Sequence, residues 1–178
     1  ISIRLVGSEM CIRDRSLAAK KNFNDIGMLA AKDYWFDNSF RRNIMKPVMN
    51  LIPIGRRSSK GRDISFDDTL KLSKGFMNVN KRCIIIFPEG TRGKPDVLIR
   101  FKKGPARLAI GTGEKILPAV ITGTGLLWPK GKIIFKPGKI NVYILPPLDP
   151  NSFLIRDNKN NIDLFKSAEA MTNALETR

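Results

Sequence analysis

The sequence contains no histidine, two cysteines, and half as many acidic residues as basic ones. Without histidine, any acid–base chemistry must fall to Asp, Glu, Lys, Tyr or Cys. Cys11 and Cys83 form neither a CxxC pair nor a Cys/His cluster. This spacing argues against a zinc site and against a disulfide framework, so we predict no bound metal. Cys83 opens an apolar run, and we expect it to behave as a small core residue.

Long hydrophobic runs are missing as well. The run CIIIF is short, and ILPAVITGTGLLW is interrupted by Pro118, Gly123 and Gly125. The first fifteen residues, ISIRLVGSEMCIRDR, lack the sustained apolar core of a signal peptide. These residues therefore predict no transmembrane helix within the chain as given.

Positive charge is in excess. Thirty-two Lys and Arg face sixteen Asp and Glu, for a net charge of +16 on 178 residues. Such an excess attracts nucleic acid, anionic lipid headgroups or phosphorylated small molecules, and charge alone leaves the choice open. An apolar content of 42% is ordinary for a globular domain, and the length suits one domain with a real core.

Apolar patterning predicts an alternating α/β chain. Short apolar runs predict strands at 27–32, 51–55, 82–87, 116–121, 131–137 and 140–145. Helical spacing predicts helices at about 37–49, from near Ser65, at 104–110 and from about 161 to the end. In the last helix we expect Ile162, Phe165 and Leu175 near one face. The alternation favours a mostly parallel or mixed central sheet flanked by helices.

The turn after the strongest strand carries residues suited to an anion. It reads FPEGTRG from Phe87 to Gly93. Gly90 permits a tight turn and close approach of a ligand, and Arg92 offers a planar fork that matches phosphate oxygens. Six cations and one acid lie between Arg92 and Arg107. On composition alone, a phosphate site and a structural arginine are equally good interpretations. Glu89 could be an ion-pair partner or could position a hydroxyl group.

The same string closely resembles the FPEGTRS signature of the glycerolipid acyltransferases, the lysophosphatidic acid acyltransferase family. Five further blocks resemble that family in the same order: LAAKDYWF (29–36), NLIPIGRR (50–57), FKKGPARLAI (101–110), ILPAVITG (116–123) and INVYILPPLDP (140–150). The resemblance runs from about Leu17 to Pro150, most of the chain.

The resemblance implies acyl transfer from acyl-CoA or acyl carrier protein, the only cosubstrate expected, to the hydroxyl of lysophosphatidic acid in phospholipid biosynthesis. Arg92 would hold the acceptor phosphate with Arg56 as a second contact, and Glu89 with Gly90 would place the glycerol. Gly55 stands where the family has aspartate, and Gly93 where it has serine. The implied substrate-binding set is Phe87, Pro88, Glu89, Gly90, Thr91, Arg92, Arg56, Lys103 and Gly104.

The family's catalytic HxxxxD block cannot be present in a chain without histidine. The first fifteen residues do not resemble the family, and we interpret 1–16 as a foreign leader on an acyltransferase domain (17–150) that lacks its N-terminal HxxxxD part. The segment 151–178 is predicted to be a helical tail. A genuine N-terminus on a divergent, non-catalytic member is the competing interpretation. In either case we expect the chain itself to lack turnover.

Two non-enzymatic alternatives remain open at this stage. The basic segments RRNIMK, RRSSKGR and KGKIIFKPGK could rest on an anionic membrane surface without catalysis. A nucleic-acid-binding module would also explain the charge, although two Tyr and two Trp offer few rings for stacking. For the enzyme, the expected location is the cytoplasmic face of a membrane, peripherally bound or anchored through upstream sequence.

Overall fold

The computed structural model describes residues 2–6, 25–31, 50–54, 65–79, 82–91, 97–127 and 136–177. Within these ranges the strands are β1 (Ser2–Val6), β2 (Ile26–Ala31), β3 (Asn50–Ile54), β4 (Cys83–Ile86), β5 (Lys115–Thr122) and β6 (Asn141–Ile144). The helices are α1 (Phe66–Met77), α2 (Gly104–Thr112), α3 (Thr124–Leu127) and α4 (Leu164–Glu176), with a 3₁₀ turn at Pro150–Phe153. The predicted helix at 37–49 and most of the predicted strand at 131–137 lie outside the described residues.

The chain divides into two compact units, one formed by Leu5–Ile86 and one by Ile1–Arg4 with Phe87–Arg178. In the first unit, β2 lies between β3 and β4 and pairs with both in parallel. The parallel pairing confirms the sheet type expected from strands that alternate with helices. In β4, Cys83 and Ile84 are almost completely buried, as the continuous apolar run predicted.

Helix α1 begins where the sequence placed it, because Ser65 caps it. The Ser65 hydroxyl accepts a hydrogen bond from the Asp68 amide, and the Asp68 carboxylate accepts one from the Ser65 amide. This reciprocal capping satisfies two amides that have no partner within the helix. The Thr69 hydroxyl donates to the Pro53 carbonyl of β3 at 3.4 Å. The buried positions of α1 are Thr69, Ser73 and Met77.

Glycine allows α1 to approach β2 closely. A Cβ atom placed on Gly27 would lie 2.8 Å from Cε1 of the Phe76 ring. The Arg82 guanidinium lies over the same ring, 5.0 Å from its centroid. Because a larger residue at position 27 would force the Phe76 ring to shift, the close packing favours glycine here.

In the second unit, α2 and α4 pack against each other and against the 3₁₀ turn. Their buried apolar residues form its core together with Phe101, Ile116 and Leu148. Strand β5 pairs with β6 in antiparallel fashion, in register Ala119 to Ile144 and Thr122 to Asn141. Antiparallel pairing within this unit is one of the arrangements that the sequence analysis allowed.

The terminal helix differs from the prediction at its first turn. Asp163 is the N-cap, so Ile162 lies outside the helix, and Phe165 is 62% exposed rather than packed on the core face. Leu175 is buried as expected, on a face shared with Ala168 and Met171. Of the three residues predicted near one face, only Leu175 therefore lies on the buried face of the helix. Phe165 lies in the first turn, and the Lys103 ammonium is 4.0 Å from the centroid of its ring.

Candidate functional site

Strand β4 leads directly into a tight turn. The Gly90 amide donates a hydrogen bond to the Phe87 carbonyl at 3.1 Å, which closes a four-residue turn. Pro88 occupies the second position, which suits its fixed φ, and Gly90 ends the turn with φ +66°. Pro88 is buried, whereas Phe87, Gly90 and Thr91 are exposed. The backbone at Gly90 and Thr91 therefore lies at the surface, while Pro88 anchors the turn in the interior.

The segment from Val97 to Lys102 is hydrogen-bonded to this turn. The Lys102 amide donates to the Pro88 carbonyl at 2.8 Å, and the Ile99 amide donates to Glu89 Oε2 at 3.3 Å. The Phe101 amide donates to Glu176 Oε1, at the end of α4, at 2.6 Å. Together these three bonds hold the segment to both the turn and the helix. The Glu89 carboxylate is therefore engaged with backbone of the same unit.

Lys102 lies beside the turn. A Cβ atom on Gly90 would be 3.5 Å from Cγ and 3.7 Å from Cε of Lys102, so its aliphatic chain runs past the glycine. The residue is exposed, and it brings a positive charge to the Gly90 backbone. Sequence reasoning selected Lys103 and missed Lys102. The available signal was Phe101, because it is buried while its neighbour Lys102 is exposed.

Lys103 is turned toward α4. Its Nζ lies 2.7 Å from Glu169 Oε1 and over the Phe165 ring. Both charged side chains are partly exposed, so the ion pair contributes at most about 1 kcal/mol, with a similar amount from the ring. Lys103 also caps α2 without a side-chain hydrogen bond, and Gly104 begins that helix with open space beside its Cα.

The structure thus brings together part of the predicted substrate-binding set. Phe87, Pro88, Glu89, Gly90 and Thr91 form one turn, beside which Lys102 lies. Arg92 and Arg56 lie outside the described residues, so their roles remain predictions. Among the described residues, no group of three or more Cys, Asp or Glu side chains is placed to hold a metal ion. None of the described helices has the length and hydropathy needed to cross a membrane.

The fold and then the family follow from comparison with known proteins. The structure resembles that of the 1-acyl-sn-glycerophosphate (LPA) acyltransferase PlsC from Thermotoga maritima, with a TM-score of 0.53 and 24% identity. The match covers 86% of this chain and 56% of that one. It shows an α/β acyltransferase fold. A family model described as Acyltransferase matches residues 15–122, more than half of the chain. The chain belongs to this acyltransferase family.

Curated relatives match shorter regions. A 1-acyl-sn-glycerol-3-phosphate acyltransferase of Limnanthes douglasii is 40% identical over 72 residues, which are 40% of this chain and 26% of the relative. The protein of the same name from Borreliella burgdorferi is 36% identical over 102 residues, 57% of this chain and 38% of the relative. The chain therefore matches well under two thirds of the length of either relative.

Proposed function

We propose that this chain provides the acceptor-binding part of an enzyme that transfers an acyl group to 1-acyl-glycerol 3-phosphate. Family membership and the names of the relatives support the reaction class. In that reaction the acceptor hydroxyl oxygen forms an ester bond with the thioester carbonyl carbon. The carbon–sulfur bond breaks, and the proton of the hydroxyl ends on the released thiol. The donor would be acyl-CoA or acyl carrier protein.

The observation that carries the proposal is the exposed backbone at Gly90 with Lys102 alongside. A glycine at φ +66° lets a phosphate approach the peptide without a Cβ in the way, and the lysine supplies positive charge at that point. Arg92, two residues after Gly90 in the chain, would add a bidentate contact, as the family resemblance implies. Arg56 would be a further phosphate contact by the same resemblance.

We also propose that the 178-residue chain binds the lysophosphatidic acid acceptor but does not catalyse acyl transfer. The family's base is a histidine, and this chain has none. Loss of a general base typically lowers rates by ~10²–10⁴-fold. Acceptor binding depends on other residues, so it should survive. We place the protein at the cytoplasmic face of a membrane, because the acceptor is itself a lipid.

Affinity for the acceptor tests the proposal. Purified wild-type chain should bind a short-chain lysophosphatidic acid more tightly than the matching monoacylglycerol, which lacks the phosphate. Lys102→Ala should weaken binding about tenfold, as expected for one lost charged hydrogen bond. The same change at Lys159, an exposed lysine of the turn at 157–161, is the matched control and should have no effect.

Arg92→Ala extends the same titration to the residue that the family resemblance favours. It should weaken lysophosphatidic acid binding at least as much as Lys102→Ala, since a bidentate contact is lost. Equal affinity of the wild-type chain for the phosphorylated and the neutral lipid would contradict the proposal. So would unchanged binding in both variants.

A further inference from the structure

Strand β6 and the residues before it expose an unusual amount of apolar surface. Ile140 is 51% exposed, and Val142, Tyr143 and Ile144 are 57%, 55% and 68% exposed. Lys136 and Lys139 precede them and are also exposed. We call this surface, from Lys136 to Ile144, the β6 strip.

Both faces of β6 contribute to the exposed surface. Side chains alternate along a strand, so Tyr143 points away from the face that carries Val142 and Ile144. Strand β5 pairs with one edge of β6, and no other described strand pairs with it. Val142 and Ile144 are neighbours on one face of the strand, and adjacent exposed apolar side chains rimmed by polar residues mark an interaction site, whereas scattered ones are ordinary.

Along the sequence, the charge next to the strip is of one sign. From Ile116 to Leu148 there are four lysines and no acidic residue, whereas Lys115, just before this range, is paired with Asp149 at 3.7 Å. An anionic lipid surface has an apolar acyl layer beneath a layer of charged headgroups. The strip offers apolar side chains and a tyrosine for the first layer and lysines for the second. The apolar groups enter the boundary of the acyl region, and the ammonium groups meet the headgroups.

We propose that the β6 strip docks this protein onto anionic lipid surfaces. A second copy of the chain fits the strip less well, because two chains of net charge +16 would bring their lysines together. The proposal does not depend on lysophosphatidic acid binding at the Gly90 turn. Docking to vesicles and acceptor binding are separate measurements, so either can fail without the other.

Vesicle flotation with the full chain tests the strip. The vesicles contain phosphatidylcholine alone, or phosphatidylcholine and phosphatidylglycerol in equal parts. Val142→Thr/Ile144→Thr removes apolar surface but keeps β-branched side chains suited to a strand. The matched control is Val79→Thr/Ile162→Thr, which makes the same two changes at sites that are 49% and 46% exposed.

The lysines are tested in the same way. Lys136→Glu/Lys139→Glu reverses the rim, and Lys71→Glu/Lys159→Glu lowers the net charge equally at exposed positions elsewhere. Wild-type chain should prefer the anionic vesicles, and binding should fall with salt. The β6 apolar variant should lose about tenfold in affinity. The rim variant should lose more than roughly fivefold for each lysine, because each change removes one attractive charge and adds a repulsive one.

Four results would overturn the proposal. The first is that either β6 variant binds vesicles as tightly as the wild-type chain, and the second is that the control variants lose as much affinity as the β6 variants. The third is that the wild-type chain shows no preference for anionic vesicles. The fourth is that the wild-type chain is a dimer in solution and Val142→Thr/Ile144→Thr is a monomer. The last result would assign the strip to a second copy. Circular dichroism shows whether each variant folds. If a variant does not fold, amide hydrogen exchange is measured instead on residues 136–144 of the wild-type chain. Anionic vesicles should slow exchange at these residues, and unchanged exchange would contradict docking.

Discussion

Replacement of Glu89 distinguishes its two possible roles. One carboxylate oxygen accepts a hydrogen bond from the Ile99 amide at 3.3 Å, which ties the 97–102 segment to the turn. Glu89→Ala removes the acceptor. Glu89→Gln keeps a carbonyl oxygen in the same place but removes the charge. If the carboxylate positions the segment, alanine should be much more damaging than glutamine.

The magnitude follows from the bond geometry. A hydrogen bond to a charged acceptor contributes about 1.5–3 kcal/mol, and a neutral one about half as much. A length of 3.3 Å is at the long end of the range for amide donors, which favours the lower figure. Glu89→Ala should therefore open the Ile99 amide about tenfold more often, and Glu89→Gln roughly threefold.

Amide hydrogen exchange measured by NMR provides the readout. Exchange at Ile99 should accelerate in the order wild type, glutamine, alanine. The Lys102 amide, which is bonded to the Pro88 carbonyl, should follow in the alanine variant. The Leu148 amide, bonded to the Ile116 carbonyl elsewhere in the same unit, is the internal control. Unchanged Ile99 exchange in Glu89→Ala would refute the positioning role, and equal loss of acceptor affinity in both variants would favour direct contact with the substrate.

Two further predictions concern stability. Gly123 has φ +90°, and a Cβ there would lie 2.4 Å from the Lys139 carbonyl oxygen, whereas Gly113, at φ +77°, has open space. Urea denaturation should therefore show a loss of ~1–2 kcal/mol for Gly113→Ala and a larger one for Gly123→Ala. Equal losses would contradict the contact. The amide of Lys166 donates to Asp163 and, with the Lys166 charge, lowers the pKa of this capping carboxyl. The native pKa of Asp163 lies below its unfolded value of about 3.9. The charged carboxylate therefore stabilises the folded chain fully above pH about 3.9, and this stabilisation is lost as the pH falls through the native pKa. Asp163→Asn keeps a capping oxygen, and the difference in urea midpoint between the two proteins should vanish on acidification. A constant difference would contradict this.

Local signals predicted the elements best. The Ser65 cap and the acids after it located the start of α1, and the apolar run at Cys83–Ile86 located β4, because both depend on near neighbours in the sequence. The turn at Gly90 was predicted for the same reason, since proline and glycine restrict the backbone by themselves.

Contacts between distant segments were beyond sequence reasoning. The Phe101 amide meets Glu176 from 75 residues away, and Lys103 meets Glu169 from 66 residues away. Neither pairing leaves a periodic pattern. The sequence therefore indicated Lys103 rather than Lys102 for the site, and it placed Phe165 on one helix face with Leu175. Each of these choices depended on where α4 packs, which only the tertiary structure shows.

The most direct test of acceptor binding is an amide titration of the chain with a short-chain lysophosphatidic acid, followed by NMR. Phosphate binding at this turn predicts saturable shifts at Gly90, Thr91 and Lys102, which the matching monoacylglycerol does not produce. Saturation with no change at these three amides, or identical shifts with the neutral lipid, would contradict phosphate binding at this turn.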